Sequence, residues 1–69
     1  MSKSYFIFVH NTNRNVISLV NIDDISMING TSKMEGGYMY LKSDPSCHIH
    51  ISETPERVME LIKEAYGQE

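Results

Sequence analysis

His48 and His50 stand two residues apart, and on an extended strand that spacing sends both imidazoles from one face, about 7 Å apart at the backbone. Such a His-x-His pair can hold two corners of a zinc or copper site when a third ligand joins it. His10 is the only other histidine, and Asp44 or Glu53 would have to come round the strand ends. The plainer reading is two solvated or interfacial histidines, so no metal is expected. Cys47 falls on the side opposite the histidines, where a thiol is inert packing more often than a nucleophile. Asp23 and Asp24 could bind a cation, but a bend that uses Asx side chains accounts for them more economically.

Hydrolytic chemistry would need a nucleophile beside a base, or two carboxylates with separated pKa values in a pocket. Ser, His and Asp all occur, but without a nucleophile elbow, an oxyanion glycine run or a P-loop. The expectation is therefore a protein that is not an enzyme and carries no cofactor. With six Lys and Arg against nine Asp and Glu, the net charge is −3. No basic cluster offers the several cationic contacts a phosphate backbone requires, which argues against nucleic acid. No apolar run approaches the ~18 residues that span a bilayer, and the N-terminus lacks the long apolar stretch of a signal peptide. These features predict a cytoplasmic protein without a membrane partner. At 69 residues a single domain is expected, with a thin core that self-association would supplement.

The elements that must position these side chains follow from periodicity. A β-branched and aromatic run over 4–10 reads as a strand, the Asn-rich segment Asn11 to Asn15 as a turn, and 16–21 as a second strand completing a hairpin. Asn21 to Asp24 bends the chain into a weaker third strand, about 24–29, ending at Asn29-Gly30, a dipeptide suited to positive φ. The polar stretch from Thr31 to Gly37 reads as a mobile loop. Strands at 38–42 and 47–52 flank Ser43-Asp44-Pro45-Ser46, a turn with proline in its favoured second position. Alternation places Met39, Leu41, Cys47, Ile49 and Ile51 on a core side and Tyr38, Tyr40, Lys42, His48, His50 and Ser52 on the other. A five-residue loop pairs Tyr40 with His48 and Tyr38 with His50, whereas a three-residue loop pairs Tyr40 with His50. Either builds a Tyr/His surface suited to a protein interface or to stacking an aromatic ligand.

Thr54 as N-cap, Pro55 at the first position and Glu56 in the first turn predict a helix over about 55–66. Val58, Leu61, Ile62, Ala65 and Tyr66 form one stripe, Arg57, Glu60, Lys63 and Glu64 face water, and Gly67 is the expected C′ residue. The fold class is α+β, mainly β: a five-stranded antiparallel meander, able to curl into a half-barrel, with one C-terminal amphipathic helix packed on it. In the first strand Tyr5, Ile7 and Val9 face one way and Phe6, Phe8 and His10 the other, so both faces are apolar and one helix cannot cover both. Either the sheet closes into a small barrel or another subunit packs on Phe6 and Phe8.

Two segments carry a resemblance. Asn21-Ile22-Asp23-Asp24-Ile25-Ser26-Met27-Ile28 is similar to the Asn, Asp, Ile and Ile pattern after the first hairpin of small bacterial and phage proteins of the flagellar FlbD-like type. Ile51 to Ile62 resembles that family's strand-to-helix junction. The resemblance implies a β-meander closed by a short helix, and a flagellar-type regulator as one reading of function. The residues themselves favour a binding protein acting as a homodimer or small ring, a phage- or mobile-element-encoded inhibitor that occludes a larger host protein. The alternative is a sponge for a nucleotide signal held between subunits. Tyr38, Tyr40, His48, His50, Phe6 and Phe8 are the expected contact residues in either case.

Overall fold

The computed structural model describes residues 5–33 and 35–67; Ser4, the expected start of the first strand, and Met34 lie outside them. The elements run β1 (Phe6–Asn11), β2 (Val16–Asn21), a 3-10 turn (Ile22–Asp24), β3 (Ile25–Gly30), β4 (Gly37–Leu41), β5 (Asp44–Ile51) and α1 (Pro55–Gly67). Five antiparallel strands thus form one sheet with one C-terminal helix. The strand order is β2-β1-β5-β4-β3, that of a ring opened between β2 and β3. The sheet is not closed, so the small-barrel alternative is set aside.

Both hairpins form. In β1–β2 the register runs from Phe6↔Asn21 to Asn11↔Val16; the Asn11 side chain accepts the Arg14 amide at 3.2 Å and Asn15 takes a positive φ of 53°, a conformation that asparagine tolerates. Among the described residues the two halves of the sheet pair only at their ends, where Asn11 pairs with Ile51. That junction is braced by Thr12 N–H to His50 O at 2.8 Å, Ser52 N–H to His10 O at 3.1 Å, and the His10 amide donating to both Glu53 carboxylate oxygens at 3.0 and 3.1 Å.

Period-two alternation decides what is buried. Ile7, Val9, Val20, Ile22, Met39 and Ile51 meet Val58 of the helix in one core. Met39, Val9 and Val58 are its largest fully buried side chains. Thr54 caps the helix as expected, its hydroxyl accepting the Arg57 amide at 3.2 Å. Only Val58 of the stripe is fully buried; Leu61, Ile62 and Ala65 pack partly against the core, and Tyr66 meets Tyr5 edge-on at 4.8 Å between centroids. On the outer side Arg57 reaches Glu60 at 3.6 Å and Glu64 at 3.9 Å.

Several local expectations are corrected. The turn expected at Ser43 to Ser46 lies instead at Lys42 and Ser43, and β5 begins at Asp44 and runs through Pro45. Asp24 moves it: its carboxylate accepts the Ser43 amide at 2.9 Å and hydroxyl at 2.6 Å, and its carbonyl accepts the Lys42 amide at 2.6 Å. Leu41 consequently pairs with Asp44 while Tyr40 still pairs with His48, and the surplus residues of β5 form an irregularity. Cys47 sits in it and is exposed, not on the core side. Asn29 and Gly30 belong to β3, without positive φ at either. Gly67 is the last helical residue and not a left-handed C′.

The left-handed glycine is Gly36, buried, with φ +68°. A Cβ there would lie 2.2 Å from the Ile51 carbonyl oxygen, so glycine lets β4 enter the sheet against the end of β5. The loop before it closes on itself, the Thr31 hydroxyl accepting the Glu35 amide at 2.9 Å and donating to its carbonyl at 3.0 Å.

Candidate functional site

The outer face of β4 and β5 carries the Tyr/His surface in the first of the two registers considered: Tyr38 opposite His50 and Tyr40 opposite His48. Directly opposed residues of an antiparallel pair share a face, and the rings interact accordingly. Tyr38 stacks on His50 with centroids 4.2 Å apart and planes 22° apart, and meets His48 edge-on at 5.1 Å. Tyr40 lies 5.5 Å from His48. Met27 of β3, opposite Tyr40, extends the same face and is half exposed.

At the other end of the sheet the outer face is aliphatic and aromatic. Phe8 lies opposite Leu19 and His10 opposite Ile17. Phe6, Phe8, Ile17 and Leu19 are 49%, 65%, 65% and 57% exposed. With each phenylalanine presenting ~150–250 Å² when bare, these four expose on the order of 400 Å² of apolar surface, a size that is often functional when contiguous. The helix covers only the opposite face, so within the chain nothing described covers this one. Phe6, Phe8, Tyr38, Tyr40, His48 and His50 thus all lie on one face of the sheet. They form two clusters, separated where the hairpins meet at their ends. Ile17, Leu19 and Met27 were not singled out by sequence reasoning; their signal was alternation opposite a phenylalanine or tyrosine once the registers are known.

The His-x-His pair is also the candidate pair of metal ligands. Their rings are 6.3 Å apart, and the three candidate third ligands are engaged elsewhere. The His10 ring bonds the Asn15 side chain at 3.2 Å, Glu53 holds the His10 amide, and Asp44 accepts the Ser46 hydroxyl at 3.3 Å. Among the described residues no group of three His, Cys, Asp or Glu is placed to hold a cation. Asp23 and Asp24 serve the bend: Asn21 accepts the Asp23 amide at 3.0 Å and Asp24 braces the 42–43 turn.

A separate open groove of about 850 Å³ lies between the β3 end and the helix, with Gly30, Thr31, Pro55, Met59 and Lys63 in its walls. It arises where Gly30 passes Pro55 and has no counterpart in a sequence motif. No described helix is long and apolar enough to cross a membrane. Comparison with protein-family models, with curated proteins and with solved structures finds no match to this chain. The FlbD-like resemblance therefore rests on its two segments alone.

Proposed function

We propose that this chain is a non-enzymatic binding protein, working as a homo-oligomer, whose outer sheet face is its contact surface toward a larger protein that it occludes. The observation that carries this reading is the placement of Phe6, Phe8, Ile17, Leu19 and Met27, each 49% exposed or more, on the same face as the Tyr38–His50 and Tyr40–His48 pairs. Tyrosine bodies with polar tips, beside bare aliphatic surface, are what interface centres favour. A protein partner fits this face better than a nucleotide base, because His50 already covers one side of Tyr38. A phage or mobile-element inhibitor is the biological setting we attach to it.

The test compares immobilised wild-type chain with Tyr40→Ala and His50→Ala in capture from host lysate. A stoichiometric protein held by wild type and lost from both variants, with circular dichroism unchanged, supports the reading. Truncating one central tyrosine is expected to cost ~2 kcal/mol or more of binding, about thirtyfold in affinity. Retention by both variants, or elution of an ultraviolet-absorbing metabolite with no protein, overturns it.

A further inference from the structure

Both edge strands, β2 and β3, lack charged residues, and an uncharged edge is a template for another strand. The two edges differ. On β3 the register shifts between Ile25 and Met27 and the strand end meets Pro55 of the helix, devices that blunt pairing. On β2 the register is unbroken over all six residues. Its free groups can be assigned. Ile22 N–H donates to Tyr5 O at 2.9 Å, so in the β1–β2 ladder the amides of Val16, Ser18 and Val20 turn inward, and those of Ile17, Leu19 and Asn21 point outward.

We infer that β2 pairs antiparallel with β2 of a second copy about a two-fold axis at Ser18. This rests on the homo-oligomeric part of the proposed function and gives it a geometry. Three observations select the arrangement. Keeping outer faces together requires residues of the same parity to oppose one another. Centring on Ser18 sets Ile17 opposite Leu19 of the second copy, both with outward amides, so that they exchange N–H···O=C bonds and the axis repeats them. The exposed side chains of Ile17 and Leu19 then cover one another, with Phe8 of one copy and His10 of the other at the ends of the row. On the opposite face Val16, which is 46% exposed at the strand end, meets Val20 of the second copy.

Charge supplies the third. Antiparallel pairing at this register brings the Thr12–Asn15 turn of each copy alongside the Ile22–Asp24 turn of the other. Arg14 and Asp23 are both exposed, and neither forms an ion pair with a described residue; the ion pairs among the described residues all involve Arg57. Across the axis Arg14 of one copy faces Asp23 of the other, twice. A chain of net charge −3 thereby associates through a neutral strand flanked by opposite charges, the complementarity that fixes register.

The experiment is a charge-swap pair read by sedimentation equilibrium, with a crosslink to fix the register. Arg14→Asp alone and Asp23→Arg alone each place like charges at both contacts, and each should dimerise roughly tenfold or more weakly than wild type. Mixed, the two variants regain opposite charges at both contacts and should dimerise as heterodimers. In a Cys47→Ser background, Ser18→Cys should form an intermolecular disulfide under mild oxidation, because Ser18 opposes its own copy in a pair whose Cα atoms are ~4.5 Å apart. Ser32→Cys, on the exposed β3–β4 loop, should not. Wild type sedimenting only as a 7.9 kDa species would overturn self-association as a whole. An oligomer that persists in both charge variants and gives no Ser18→Cys crosslink would overturn the β2 pairing and leave the homo-oligomer standing.

Discussion

Gly36→Ala is the perturbation whose cost the structure defines most closely. At φ +68° an L side chain is strained by about 1–2 kcal/mol. The added Cβ would also sit 2.2 Å from the Ile51 carbonyl oxygen and 3.3 Å from the Ser52 Cα, backbone atoms that no rotamer change can move. Relief requires β4 to back away from β5 beside the Gly37↔Ile51 pair, an overpacking cost of about 1–3 kcal/mol before any ladder hydrogen bond is lost. The expected destabilisation is about 2–5 kcal/mol. A domain this small, at roughly 0.05–0.15 kcal/mol per residue, has about 3–10 kcal/mol in all. With a urea slope near ~1 kcal/mol/M, the unfolding midpoint should fall by about 2–5 M or be lost altogether. Gly67→Ala is the control: nothing lies within 4 Å of its Cβ position and the residue is helical, so stability should hold or rise by up to about 0.5–1 kcal/mol. Urea titrations placing Gly36→Ala within about 0.5 kcal/mol of wild type would refute the reasoning.

Core and surface should separate as burial does. Met39→Ala, at a fully buried site, should cost about 2–5 kcal/mol by chemical denaturation, whereas Lys63→Ala should stay within about 0.5 kcal/mol. Thr54→Ala removes the helix cap and should cost about 1 kcal/mol, seen as a thermal midpoint lower by about 4–8 °C. Cys47 is exposed, so a thiol reagent should titrate it fully in the native protein; reaction only after unfolding would contradict the irregularity in β5.

What the sequence made legible was local. Alternation separated Met39, Ile49 and Ile51 from Tyr38, Tyr40, His48 and His50, and the cap at Thr54 placed the helix start, because each signal resides in residues that are neighbours along the chain. The β1–β5 junction was not legible: it rests on Asn11 pairing with Ile51, and neither residue carries a local mark of so distant a partner. The same cause misplaced the second hairpin turn. Pro45 gives a sound turn signal by itself, but hydrogen bonds from Ser43 to Asp24 fix the turn earlier, and with it the fate of Cys47. The candidate face was half visible. Phe6 and Phe8 stood out by type, whereas Ile17 and Leu19 joined them only through the β1–β2 register.

The central claim is that the bare outer face exists to be covered. Sedimentation equilibrium of the wild-type chain beside Phe8→Lys, from micromolar to millimolar concentration, tests it most directly. Phe8 is 65% exposed, so the lysine should leave the fold in place, which circular dichroism checks. The wild-type mass is expected to climb from 7.9 kDa toward a multiple of it, while the Phe8→Lys mass stays near the single chain over the same range. A wild-type chain that remains at 7.9 kDa throughout, or a variant that associates as well as wild type, would contradict it.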